Sequence, residues 1–151
     1  MNKPVIFLRI AAVLTFIHAA LHTVGGVFGP IDQGPATVAA QAMKANQFVA
    51  FGHMHSFWEF YRGMGLGVSI FLTAESIVFW QLSTLAKTDV GRFQPLLITF
   101  AVAYAVFAVD SNSYFFLAPV IFEILIATSL VLAFATAKSP SKAIQETALQ
   151  A

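Results

Sequence analysis

Four long apolar runs limit what this chain can fold into. They cover residues 5–28, 48–82, 93–109 and 114–137. Three of them reach the ~20 residues that a helix needs to cross a bilayer, and the run at 93–109 is near the lower limit of about 17. Each is predicted to be a helix, because backbone groups without a hydrogen-bond partner are costly in hydrocarbon.

The composition agrees with a membrane protein. The chain has 151 residues, of which 58% are hydrophobic and 10% are charged, and its mean hydropathy is +0.79. Soluble domains carry about 25% charged residues, so this chain lacks the polar residues to cover a water-facing surface. We predict an all-α fold in one domain, residues 1–151, that forms an integral membrane four-helix bundle. The spans are expected at about residues 5–28, 56–82, 93–110 and 114–137.

The connections predict the order and orientation of the spans. The second and third connections are short, which favours antiparallel neighbours and an up-down-up-down bundle. Six of the eight basic residues fall on one side of such a bundle: Lys3, Arg9, Lys87, Arg92, Lys138 and Lys142. Because basic connections face the cytoplasm, both termini are predicted to be cytoplasmic and the location to be the inner membrane. The alternative for the first run is a cleaved signal peptide, since two basic residues precede AAVLTFIHAA.

Two segments lie outside the predicted spans. Residues 29–47 begin with the loop-like GPIDQGP and continue with TVAAQAMKANQF, which is able to form a short interfacial helix. We expect this outside segment to act as a lid. Residues 138–151 are expected to be a solvated cytoplasmic tail. The run at 48–82 has 35 residues, too many for a straight span, so it is expected to start outside the hydrocarbon, to tilt or to bend.

Charge and cysteine content exclude several classes of function. A net charge of +1 gives no basis for a nucleic-acid partner. The chain has no cysteine, so disulfides, thiolate metal sites and thiol redox chemistry are excluded.

Ionisable residues from all four spans are predicted to converge in the outer half of the bundle. On one helix, His18 and His22 share a face, and on the next, His55, Glu59 and Arg62 fall within about 60° of one another while His53 points away. Charged groups at membrane depth are costly and are candidates for function. The sequence therefore predicts an outward-facing polar pocket lined by His18, His22, His55, Glu59, Arg62, Asp110 and Glu123.

The same residues also allow structural interpretations. The charged groups are able to form a buried hydrogen-bonded network that sets the helix register. Asp110 and Asn112 are able to cap the turn into the fourth span. Trp58 and Tyr114 are typical interfacial anchors as well as possible pocket walls.

Acid–base chemistry on an apolar substrate is the first functional hypothesis. HSFWEFY at residues 55–61, with a separate membrane carboxylate at Glu123, resembles the sterol-isomerase and emopamil-binding group of small helical membrane proteins. The resemblance implies that His55, Glu59 and Glu123 add a proton at one carbon of a lipid-like substrate and remove one at another. The predicted ligand-binding residues are His18, His22, Trp58, Arg62, Asp110, Asn112 and Tyr114. This hypothesis requires no cofactor.

Metal or haem binding is the second hypothesis. Imidazole and carboxylate ligands suit Zn, Fe or Cu without thiolates, and the candidates are His18, His22, His55 and Glu59. A haem needs one axial histidine from each of two helices, such as His22 and His55.

An accessory role without chemistry is the third hypothesis. Gly63 and Gly67 form a GxxxG pattern that suits close helix packing, in a homo-oligomer or a larger membrane complex. The chain also resembles small uncharacterised four-helix bacterial inner-membrane proteins, through HTVGG at residues 22–26 and FWEFYRG at residues 57–63. That resemblance implies a fold and a location but no activity.

Overall fold

The computed structural model describes residues 2–31 and 34–137. About 81% of these described residues are helical. The elements follow in this order: α1 Lys3–Leu21, a π-helical turn His22–Val27, α2 Pro35–Ala45, β1 Gln47–Ala50, β2 His53–Ser56, α3 Phe57–Leu85, a 3-10 turn Gly91–Phe93, α4 Gln94–Tyr114 and α5 Leu117–Ala135. The predicted tail at 138–151 lies outside the described residues.

Four helical stretches are long and apolar enough to cross a membrane. They are Lys3–Val27, Phe57–Leu85, Gly91–Tyr114 and Leu117–Ala135, with mean hydropathies from 1.5 to 2.3. The prediction of four membrane-spanning helices is therefore confirmed by length and composition. The up-down order and the cytoplasmic termini stay predictions.

The chain divides into two compact units, each described here by itself. The first unit comprises Met1–His18 and Ala74–Ala151, and the second comprises Ala19–Thr73. Helices α1 and α3 therefore contribute residues to both units. The core of the first unit forms where α4 and α5 pack together.

The facing stripes of α4 and α5 follow from their sequences. On α4 the buried residues recur at alternating steps of four and three: Leu97, Ala101, Tyr104, Ala108 and Ser111. On α5 they are Val120, Glu123, Ile126, Ser129, Leu130 and Ala133. This spacing keeps the side chains on one face of a helix, and the small residues among them let the two backbones approach closely. Polar side chains at 104, 111 and 123 are thereby buried between apolar layers.

A β-hairpin precedes α3 in the second unit, so the all-α prediction is wrong for this segment. Strands β1 and β2 pair antiparallel, with Phe48 opposite His55 and Val49 opposite Met54. Phe51 and Gly52 both have positive φ, +50° and +82°, as a two-residue hairpin turn of type I′ requires. The hairpin explains the 35-residue apolar run, because its first nine residues lie outside the helix and α3 begins at Phe57.

The region between the first two spans contains a short helix, as the sequence suggested. Helix α2 begins at Pro35, a favoured first residue because its fixed φ suits a helix and it has no N–H to satisfy. The end of α1 widens into the π-helical turn, in which the Phe28 N–H donates to the Thr23 carbonyl oxygen at 3.0 Å. The lid function predicted for residues 29–47 stays a prediction.

Candidate functional site

The residues of the predicted pocket divide between the two units. The first unit contains His18, Asp110, Asn112, Tyr114 and Glu123, and the second contains His22, His55, Trp58, Glu59 and Arg62. The site is therefore described one unit at a time.

Glu123 is the most deeply buried ionisable residue of the predicted set. Its side chain is 0% exposed. The Ser111 hydroxyl on α4 donates to its Oε1 at 2.7 Å. Its Oε2 is also buried, and none of residues 2–31 and 34–137 forms a hydrogen bond with it. One oxygen of this carboxyl group therefore accepts a hydrogen bond from the neighbouring helix, and the other has no hydrogen-bond partner among the described residues.

A second carboxyl group joins Glu123 in the first unit. The Tyr104 hydroxyl on α4 donates to Oε2 of Glu75 on α3 at 2.6 Å. Tyr104 is 2% exposed and Thr15 on α1 is 0% exposed, and both Thr15 and Glu123 interact with the Tyr104 hydroxyl. Thr15, Glu75, Tyr104, Ser111 and Glu123 together make a polar cluster to which four helices contribute, and all of them except the half-buried Glu75 are buried.

His18 lies beside this cluster. It is buried, one turn beyond Thr15 on α1, and its ring stacks on that of Phe122 with centroids 5.5 Å apart. Phe122 directly precedes Glu123 on α5, so α1 and α5 are in contact at this level. The assignment of His18 to a binding site stays a prediction.

The other predicted residues of the first unit are exposed. Asp110, Asn112 and Tyr114 all lie on the last turns of α4, which continues to Tyr114. Asp110 and Asn112 are therefore helical residues rather than caps of the following turn. Asp110 still interacts electrostatically with Glu123, whereas Tyr114 is 77% exposed.

In the second unit, Glu59 takes part in a capping box at the start of α3. The Ser56 N–H donates to Glu59 Oε2 at 2.8 Å, and the Glu59 N–H donates to Ser56 Oγ at 3.2 Å. The Ser56 hydroxyl adds a third bond to Glu59 Oε2 at 3.0 Å. This reciprocal pattern satisfies backbone donors that a helix start leaves unpaired. Glu59 is exposed, and its observed role is to cap the N-terminus of α3 together with Ser56.

His55 is not a helical residue, which corrects the predicted stripe of His55, Glu59 and Arg62. It lies on β2, two residues from His53. Residues two apart on a strand share a face, so His53 and His55 point to the same side, where the helical interpretation had separated them. The assignment of His55 and Glu59 to catalysis stays a prediction.

The remaining residues of the second unit have local partners. His22 Nδ1 lies 3.0 Å from the Ser69 hydroxyl oxygen. The Arg62 guanidinium stacks over Phe28, 4.6 Å from the ring centroid, and Lys44 Nζ lies 5.1 Å from the Trp58 ring centroid. These contacts tie α2 and the π-helical region to the N-terminal half of α3.

The structure gives no support to a closed metal centre. Across residues 2–31 and 34–137, no three side chains of the His, Cys, Asp and Glu types are grouped so that they hold a metal ion. The four candidates named for metal binding do not form such a group.

An apolar groove runs between α4 and α5 in the first unit. Its volume is about 380 Å³, and it is lined by Ile98, Ala101, Val102, Ala105, Ala127, Thr128, Val131 and Leu132. Ala127 is one helical turn beyond Glu123, and Ala101 is one turn before Tyr104. The groove exists because alanine and threonine leave space where larger side chains would fill it.

The fold and its apolar helices define a multi-pass membrane protein. No protein-family model matches the chain, and searches of curated proteins and of solved structures found no match. The two resemblances noted above therefore rest on the quoted motifs alone.

Proposed function

We propose that this chain is an inner-membrane protein that binds an apolar, lipid-like small molecule in the first unit. The apolar body of the ligand occupies the groove between α4 and α5, and its polar end meets the carboxyl group of Glu123. The observation that carries the proposal is the buried Oε2 of Glu123, which has no hydrogen-bond partner among the described residues.

Burying that oxygen without a hydrogen-bond partner costs free energy, which a ligand is able to recover. A buried polar atom without a partner costs about 1–3 kcal/mol, and ionisable residues at membrane depth are rare unless they have a function. A carboxyl group is able to accept a hydrogen bond from an alcohol or an amine, or to donate one to a carbonyl when protonated. The ligand class that fits is an apolar molecule with one such polar group.

The groove supports the same ligand class. Ligand sites are concave and mostly apolar, with volumes of about 300–1,000 Å³ and few polar groups. The groove has about 380 Å³ and an apolar lining apart from Thr128. The competing occupant of this groove is a helix of a partner protein, as the hypothesis of an accessory subunit would have it.

Acid–base chemistry of the isomerase type is the finer part of the proposal. Such chemistry needs two groups that give and take protons on one substrate. Glu123 supplies one, and the pair Tyr104–Glu75, joined at 2.6 Å, supplies a second in the same cluster. His55 and Glu59, named from the sequence, support this chemistry less well because both are exposed and Glu59 caps α3.

The test is mass spectrometry of organic extracts from protein purified in a mild detergent. We expect one apolar compound in near-stoichiometric amount with the wild-type chain, and at least a tenfold loss with Glu123→Gln. Glu59→Gln is the matched control, because glutamine also serves in a capping box. Equal amounts of the compound in wild type and Glu123→Gln contradict the proposal.

A second variant separates ligand loss from misfolding. Ala105→Phe narrows the groove from an exposed position on α4 and leaves the polar cluster intact. Loss of the compound from folded Ala105→Phe supports the groove as its site. Loss of a co-purifying protein instead, with no small molecule in any sample, favours the accessory role.

A further inference from the structure

We propose that His53 and His55 form a binding site for a divalent transition-metal ion, Cu²⁺ or Zn²⁺, on the exposed face of the β-hairpin. The site differs from the metal set considered from the sequence, which combined His55 with His18, His22 and Glu59 and left His53 out. It is also independent of the proposed ligand site, since it lies in the second unit.

The strand places the two imidazoles side by side. His53 and His55 are separated by one residue of β2 and share a face of the hairpin. Their ring centroids are 6.4 Å apart with an interplanar angle of 53°. Phe48, directly opposite His55 on β1, has its ring centroid 6.3 Å from the His55 ring and limits the directions that ring adopts.

The distance suits chelation after a small adjustment. Metal–nitrogen bonds of about 2.0–2.1 Å at a tetrahedral angle bring two imidazole centroids to roughly 5 Å. The rings therefore need to approach by little more than 1 Å. Both histidines are exposed, so side-chain rotation achieves this without moving a packed residue.

The surroundings favour a cation. The Glu59 carboxylate interacts electrostatically with His55. Imidazole nitrogen is a preferred ligand of Cu²⁺ and Zn²⁺. Because the described residues contain no group of three potential ligands, water completes the coordination, and the site is more open and weaker than a closed structural site.

The experiment is calorimetric titration of the full chain in detergent with CuCl₂ and with ZnCl₂, in a non-chelating buffer and after removal of any histidine tag. We expect one equivalent to bind, with at least a tenfold loss of affinity in His53→Ala and in His55→Ala. Met54→Leu is the matched control, since it lies between the histidines on the opposite face and is 67% exposed.

Electron paramagnetic resonance of the Cu²⁺ sample gives a second readout. Two coordinated imidazole nitrogens are expected in the wild type, and one in each alanine variant. Affinity and spectrum unchanged in both variants overturn the proposal, as does the absence of binding at millimolar metal. An equal loss of affinity in Met54→Leu also overturns it, because that loss reflects the hairpin fold rather than the ligands.

Discussion

Removal of the Ser111 hydroxyl is expected to destabilise the first unit measurably. Ser111 is 1% exposed and Glu123 is 0% exposed, and the 2.7 Å bond between them is the hydrogen bond that the structure describes for this carboxyl group. In Ser111→Ala, both oxygens of a buried carboxyl group lack a partner from the described chain. An unsatisfied buried group costs about 1–3 kcal/mol, and we expect the free energy of unfolding to fall by that amount.

Ser113→Ala provides the control on the same helix. Its hydroxyl is exposed and donates to the Val109 carbonyl oxygen of its own helix at 2.9 Å. A surface change of this kind stays within about 0.5 kcal/mol of the wild type. The difference between the two alanine variants therefore isolates the bond to Glu123.

The double variant Ser111→Ala/Glu123→Leu tests whether the unsatisfied carboxyl group causes the loss of stability in Ser111→Ala. If the loss comes from a stranded carboxyl group, replacing that group with an apolar one restores most of the stability, because removing both partners is close to neutral. The assay is unfolding in mixed micelles with increasing dodecyl sulfate, followed by far-ultraviolet circular dichroism. The reasoning is refuted if Ser111→Ala unfolds at the same midpoint as Ser113→Ala.

Three further predictions concern the second unit. Ser56→Ala removes the cap of α3, so it is expected to lower the free energy of unfolding by about 0.5–2 kcal/mol and to speed amide exchange in the first turn. Ser56→Thr keeps the capping hydroxyl, so its stability and amide exchange are expected to match those of the wild type. Gly29→Ala is expected to lower the unfolding midpoint, because a Cβ there overlaps the Gly25 carbonyl oxygen. Gly26→Ala is its control, because a Cβ there lies at an ordinary 3.6 Å from the His22 ring. Equal unfolding midpoints for the two variants contradict this prediction. Gly52→Ala is expected to cost about 1 kcal/mol or more because its φ is +82°, and a wild-type melting temperature for this variant argues against the type I′ turn.

The membrane spans were predictable from the sequence because the bilayer imposes one simple requirement. A span must be about 20 residues long and apolar, and that is visible without knowledge of packing. The depth of Glu123 in its span was predicted by the same reasoning, and it stays a prediction.

The hairpin was not predicted because hydropathy alone does not separate a strand from a helix. FVAFGHMH at residues 48–55 continues the apolar run of α3 without a charged break. The signals that mark the boundary are local: Gly52 in the turn and the SxxE pattern of Ser56 and Glu59. Once these are recognised, α3 begins at Phe57 and His55 leaves the helical face.

The polar cluster was missed for a different reason. Tyr104 and Ser111 lie seven residues apart within a helix that is apolar on all sides, so no polar face distinguishes them. Tyrosine in a span is also typical of the membrane interface. Only the packing of α4 with α3 and α5 brings these hydroxyls to the carboxyl groups of Glu75 and Glu123.

The hydrogen bonds between spans have a consequence for how the chain enters the membrane during synthesis. Four hydrogen bonds of polar side chains each join two spans that are consecutive in the chain. The pairs are Ser76 with Ala12, Glu75 with Tyr104, Ser111 with Glu123, and His22 with Ser69. A newly made Glu123 therefore finds Ser111 in the helix that has just preceded it from the ribosome. The spans that these four bonds join are suited to leave the translocation channel as consecutive pairs.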